Sequence, residues 1–250
     1  MLLRGTIVNC ITPMNSVNKV DIIGIQKHIK FLLDKGVGGL WFLGSAGEDF
    51  SIGLEDRMTA TKTAVVECSK VPIIVGLGAM SFYEIKEFIN EIEKYECDFH
   101  ILPYDQKLTG SAKLKYLEKI ADIPKCSKIW LYHNPKRGSG ISVEEAQILS
   151  EHQNIRGIKA GGYDLEHLKG MLRLHDDIKF QVYGAGGLQA LKLYELGAKA
   201  HMTSDANVWP QLHNQLYNDF IKGNMNAAKQ IQKTIRDISE KMPKTENGEN

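Results

Sequence analysis

Short apolar runs punctuate the chain: GTIVNCI, GLWFLG, VPIIVGLG, DFHILP, KIWLYH, RGIKA, FQVYG and AHMTS. Most are rich in Val, Ile or aromatic residues and all are too short for a buried helix, so each predicts a buried strand. The segments between them carry helical spacing instead. In VDIIGIQKHIKFLLDKG, Ile22, Ile25, Ile29 and Leu32 recur on one face, and Gly36 supplies a stop. SVEEAQILSEH opens with Ser142 and has Glu145 three residues on, a capping-box pattern. GLQALKLYELGA predicts another short helix that ends at a glycine. Strands and helices therefore alternate at about 20–35 residues, the period of βα units. Eight such units predict an α/β fold of the closed (β/α)8 TIM-barrel type. An open doubly wound sheet ordinarily carries a glycine-rich loop after its first strand, whereas TPMNSVNK follows here. The expected organisation is a barrel over residues 1–210, shortened C-terminal helices over 211–242 packed on it, and a polar, disordered tail over 243–250.

A length of 250 residues suits one such barrel. The 31 basic residues balance 30 acidic ones, which gives no field to attract nucleic acid or a membrane surface. No apolar stretch is long enough to span a bilayer. The opening MLLRGTIVNC has its charge behind the apolar residues, which makes it a poor signal peptide, so a cytoplasmic protein is expected. The four cysteines (Cys10, Cys68, Cys97 and Cys126) lie far apart without CxxC spacing, which argues against a zinc site or a disulfide framework.

A barrel assignment gives each polar residue an address, because chemistry in this fold is done at the carboxyl ends of the strands. Lys128, Lys179 and Lys199 precede or open their apolar runs and belong to the opposite face. Lys159 closes the run in NIRGIKAGGYD and belongs to the catalytic face. A lysine rooted there is partly desolvated, so its neutral amine becomes available to attack a carbonyl and form a Schiff base. A lysine that merely snorkels to solvent is the competing reading.

Three further strand ends add candidates. WFLGSAGEDF enters a turn of Gly44, Ser45, Ala46 and Gly47, whose backbone N–H groups can cradle a carboxylate. The same turn also serves as an ordinary helix entry. IWLYHNPKRGSG places Tyr132 at a strand end, one strand before the lysine, as a proton shuttle or a plain core tyrosine. Arg137, in the loop behind it, is suited to clamping a carboxylate. VYGAGG offers a weaker phosphate-loop reading.

GSAGE near position 44, LYHNPKRGSG near 131 and GIKAGG near 157 resemble, in order and spacing, the dihydrodipicolinate synthase/N-acetylneuraminate lyase family, pyruvate-dependent class I aldolases on a (β/α)8 barrel. The resemblance runs from TIVNCITP to about Pro210. It implies that Lys159 forms the Schiff base with pyruvate, Tyr132 shuttles protons and Ser45 relays them. The N–H groups of Ser45 and Ala46 would hold the 2-oxo acid's carboxylate, and Gly184 and Met202 would line the pocket. Arg137 matches the arginine that holds the second substrate's carboxylate in the synthases, which tilts the expectation toward condensation of pyruvate with aspartate semialdehyde. Alternatives are a lyase releasing pyruvate from N-acetylneuraminate or a 2-keto-3-deoxy sugar acid, a catalytically weak 2-oxo-acid-binding relative, and a phosphosugar enzyme using YGAGG. No metal or cofactor is implied, because the protonated imine is itself the electron sink. Departures from the family pattern are Ala46 for a hydroxyl residue, Asp105 for a tyrosine that completes a neighbouring subunit's relay, and Ala160 for an acidic residue. The chain also stops short of typical members, trimming helices that often mediate assembly. A homo-oligomer, dimer or tetramer, is expected.

Overall fold

The apolar runs form eight parallel strands: β1 (Gly5–Asn9), β2 (Gly39–Phe42), β3 (Ile73–Gly76), β4 (Asp98–Ile101), β5 (Ile129–His133), β6 (Ile155–Ala160), β7 (Gln181–Ala185) and β8 (Ala200–Thr203). The ring closes in chain order, with β1 pairing β8 from Gly5 opposite Ala200 to Val8 opposite Thr203. This computed structural model describes residues 2–68, 70–78, 80–101, 107–161 and 164–242. Asp105 and the 243–250 tail lie outside them.

Eight helices follow the strands in turn: α1 (Ile22–Asp34), α2 (Leu54–Glu67), α3 (Phe82–Ile92), α4 (Gly110–Ala121), α5 (Val143–Ser150), α6 (Leu165–Leu172), α7 (Ala190–Glu195) and α8 (Pro210–Ile221). A ninth, α9 (Met225–Lys241), packs on α7 and α8. The buried side chain of Gln232 fixes α9 there, accepting from Leu191 N–H (2.9 Å) and donating to the Gly187 carbonyl (3.1 Å).

Local sequence accounts for the helix ends. The predicted capping box at Ser142 is present, with Glu145 N–H donating to Ser142 Oγ (3.2 Å) and Ser142 N–H to Glu145 Oε2 (2.8 Å). Ser81 and Glu84 form a second box at the start of α3. Gly36, just past α1, sits at φ +73°, where a side chain is strained. The expected apolar face of α1 needs one correction. Ile25, Ile29 and Leu32 are buried, but Ile22 is 45 % exposed. Ile22 is the first helical residue after the Asp21 N-cap and lies beyond the edge of the sheet-facing stripe.

Two cores result. An outer one lies between sheet and helices and takes Val8, Phe42, Val75, Phe99, Leu131, Ile158 and Val182. Inside the barrel, Leu3, Ile7, Trp41, Ile74, Trp130, Tyr132, Tyr183, Ala200 and Met202 fill the bore. The period-2 alternation of each strand divides its residues between the two.

Candidate active site

Lys159 reaches the bore because of a β-bulge. Ile129 on β5 is opposite Ile155, but Trp130 is opposite Gly157, so Arg156 is an extra residue on β6. Ile155 joins the outer core, whereas a Cβ on Gly157 would lie 2.8 Å from the Trp130 ring in the bore. One inserted residue has inverted the facing, as the period of two requires. Ile158 and Ala160 then face the helices, while Lys159 turns inward as the register partner of both Tyr132 and Tyr183.

The amine enters an aromatic enclosure. Lys159 Nζ lies 3.7 Å from the centroid of Trp41 and 4.1 Å from that of Tyr132. Trp41 meets Tyr132 edge-on at 5.3 Å and His100 at 4.2 Å. Lys159 is only 3 % exposed, and its ammonium has no hydrogen bond or ion pair among the described residues. Burial, with the Arg137 charge second, holds its pKa well below the ordinary lysine value. Burial and then the Lys159 charge push the His100 imidazole well down, so this histidine is neutral. The rings oppose desolvation selectively, because π faces attract a diffuse, weakly hydrated cation. A protonated imine is such a cation.

Tyr132 is held by its own loop. Asn134 Nδ2 donates to the Tyr132 oxygen (2.8 Å), and the Asn134 carbonyl accepts from Arg137 N–H (3.1 Å). Burial raises the phenol's pKa, while the Asn134 hydrogen bond and the Arg137 charge pull it down and the Asp49 charge raises it. A Cβ on Gly161 would lie 2.8 Å from the Tyr132 ring, so a glycine after β6 leaves room for it.

The turn after β2 is set by Leu43, a buried residue at φ +54°. That left-handed conformation costs energy for a leucine and bends the chain into a short 3₁₀ turn, Ser45–Gly47. The N–H groups of Ser45 and Ala46 find no acceptor among the described residues, as expected at a helix start. The turn is pressed against β3: a Cβ on Gly76 would stand 2.0 Å from the Leu43 carbonyl oxygen. Buried Arg57 pins the following segment, donating to the carbonyls of Ile52 (2.9 Å) and Asp49.

Arg137 leans over this segment. Its Nη2 meets Asp49 Oδ1 at 3.2 Å, and its guanidinium stacks on Phe50 at 4.8 Å. Asp49 is 3 % exposed. Met202 belongs to the same cluster in the bore as Tyr132 and Trp41. Gly184 contributes backbone only, since a Cβ there would meet Leu193 of α7. The VYGAGG loop faces an acidic neighbour: a Cβ on Gly187 would lie 2.5 Å from Asp205 Oδ2, poor surroundings for a phosphate. No cluster of metal-ligating side chains occurs among the described residues, and no helix among them is long and apolar enough to cross a membrane.

Lys159, Tyr132 and Arg137 thus converge, with the Ser45–Ala46 turn on the same end of the barrel. Sequence reading missed Trp41, His100, Asn134 and Asp49. Nothing within GLWFLG or DFHILP marks the first two, because bore-facing and helix-facing positions of an apolar strand look alike, whereas the step of two from Tyr132 was the signal for Asn134.

The chain is similar to known proteins over nearly its whole length. The model of the dihydrodipicolinate synthetase family matches residues 2–249. An uncharacterized DapA-like lyase of Pyrococcus horikoshii is 30 % identical over 245 residues, 94 % of this chain and 84 % of that one. A 4-hydroxy-tetrahydrodipicolinate synthase of Methanothrix thermoacetophila is 28 % identical over 236 residues, covering 92 % and 78 %. Among solved structures, the E. coli K12 prophage protein YagE, of the dihydrodipicolinic acid synthase family and in complex with pyruvate, superposes with a TM-score of 0.88 at 25 % identity, covering 96 % and 83 %.

Proposed function

Because the chain belongs to the dihydrodipicolinate synthetase family, we propose that it is a Schiff-base aldolase or lyase in which Lys159 takes up pyruvate. The observation that carries this reading is the buried amine of Lys159, held between Trp41 and Tyr132 and without a polar partner among the described residues. Burial disfavours the charged form of such an amine and so favours its nucleophilic free base.

Nζ attacks C2 of pyruvate, and a proton passes from the nitrogen to the carbonyl oxygen to give the carbinolamine. The Tyr132 phenol protonates the departing hydroxyl, and loss of water leaves a phenolate at Tyr132 and a protonated imine whose charge the two rings stabilise. The pyruvate carboxylate rests on the N–H groups of Ser45 and Ala46, which fixes the orientation of C3. C3 then gives a proton to the Tyr132 oxygen, and the electron pair moves into the enamine. The enamine carbon attacks the aldehyde carbon, and the new alkoxide takes its proton from Tyr132. Water hydrolyses the product imine, which releases Lys159 as the neutral amine and returns the proton to Tyr132. Cleavage runs the same steps in reverse.

The partner aldehyde distinguishes two branches. Condensation with aspartate semialdehyde asks Arg137 to receive the acceptor's carboxylate. Cleavage of a 2-keto-3-deoxy sugar acid or N-acetylneuraminate does not. The contact of Arg137 with Asp49 favours the second branch, since that guanidinium already has an internal anion. A panel of aldehydes assayed for pyruvate consumption, with a panel of 2-oxo acids assayed for pyruvate release, tests the reading. It predicts turnover with at least one compound, and failure of all of them argues for a binding protein.

A further inference from the structure

The Arg137–Asp49 pair carries a consequence for substrate choice that builds on the Schiff-base reading above. We propose that Asp49 is the specificity-determining residue of the acceptor site: it engages Arg137 internally and makes the site reject aldehydes that carry a carboxylate.

Three observations support this. The contact is inside the site, because both charges act on the Tyr132 phenol and Arg137 also acts on Lys159. Asp49 is fixed rather than mobile: it is 3 % exposed, its carbonyl is held by Arg57 and its N–H donates to the Gly44 carbonyl (3.3 Å). Arg137 is oriented toward it by the turn that Asn134 closes and by the Phe50 ring under the guanidinium. A fixed carboxylate at 3.2 Å cancels the arginine's net attraction for a second anion. An acceptor carboxylate arriving there would stand beside a buried like charge, a juxtaposition that specific sites use to exclude wrong partners. The pair offers hydroxyl groups something different, since Asp49 accepts and Arg137 donates. The fitting acceptor is an uncharged, hydroxylated aldehyde.

The test measures kcat/KM for pyruvate consumption with glyceraldehyde and with succinate semialdehyde, for the wild type, Asp49→Asn, Asp49→Ser and the double variant Asp49→Asn/Arg137→Gln. The wild type is expected to prefer glyceraldehyde. Either single substitution is expected to move the preference toward succinate semialdehyde by roughly tenfold or more, mainly through KM, and the double variant is expected to lose that gain. A wild type that prefers the carboxylated aldehyde overturns the proposal. So does an unchanged ratio, a further loss of succinate semialdehyde use in the single variants (Asp49 would then be orienting Arg137 for a substrate carboxylate), or turnover of neither aldehyde. Borohydride trapping of pyruvate on each protein separates the two levels: no adduct on the wild type sinks the Schiff-base reading itself, while an adduct with the wrong preference sinks only the role of Asp49.

Discussion

Tyr132 on β5 and Lys159 on β6 are direct register partners, with the lysine amine 4.1 Å from the phenol ring centroid. Adjacent parallel strands present paired residues on the same face, so the pairing commits both side chains to the bore. In the proposed mechanism the two act as nucleophile and proton carrier, and side chains set side by side on rigid strands need little reorganisation before reaction.

Tyr132→Phe keeps the ring against Trp41 and removes only the oxygen. Pyruvate should still be captured, but proton transfer at C3 and at the aldehyde oxygen loses its carrier. Turnover is expected to fall by about 10²–10⁴-fold while the trapped adduct still forms. Wild-type kcat in this variant would contradict the role assigned to the phenol.

Trp41→Leu removes the closer of the two rings facing the amine. Loss of one cation–π contact is worth about 0.5–2 kcal/mol, so the apparent affinity for pyruvate should weaken about twofold to about thirtyfold. The concentration dependence of adduct formation measures it. An unchanged half-saturation would mean that the ring is packing alone.

Burial, followed by the Arg137 charge, holds the Lys159 pKa below its ordinary value. At neutral pH the unfolded chain therefore binds a proton that the folded chain holds poorly. Folding stability must rise with pH between the depressed value and the ordinary one near ~10.4. Lys159→Met removes that cost and should stabilise the protein by about 1–2 kcal/mol at pH 7. The advantage should shrink as pH approaches the ordinary lysine value. Thermal unfolding of both proteins across this range checks it, and a lower Tm for Lys159→Met at pH 7 would contradict it.

Gly76→Ala puts a methyl 2.0 Å from the Leu43 carbonyl oxygen, too close for either backbone to stay where it is. Displacement of the β2 turn is expected to cost about 1–3 kcal/mol of stability and to slow pyruvate capture, because the Ser45 and Ala46 N–H groups move with the turn. Urea unfolding and the rate of adduct formation read the two effects separately.

The eight strands were legible because each is a short apolar run bounded by helical spacing, and the end of the barrel that carries the candidate site followed from where Lys159 and Tyr132 stand in their runs. The bulge at Arg156 was not legible. An inserted residue leaves composition untouched, and only strand pairing reveals that Ile155 and Gly157 face opposite ways. Trp41 and His100 were hidden for a related reason: inside apolar strands, a residue facing the bore reads the same as one facing the helices. Asp49 sits in a polar GED stretch that looks solvated, and its burial depends on Arg57 and Arg137, which lie 8 and 88 residues away.

The central claim is that the amine at position 159 forms a covalent imine with pyruvate. Reduction with borohydride in the presence of pyruvate, followed by peptide mass mapping, tests it most directly. The predicted result is one adduct per chain, equal in mass to pyruvate less one water plus two hydrogens, located on Lys159 and missing from Lys159→Ala. An unmodified Lys159 under saturating pyruvate, or an adduct that persists in the alanine variant, would contradict the account.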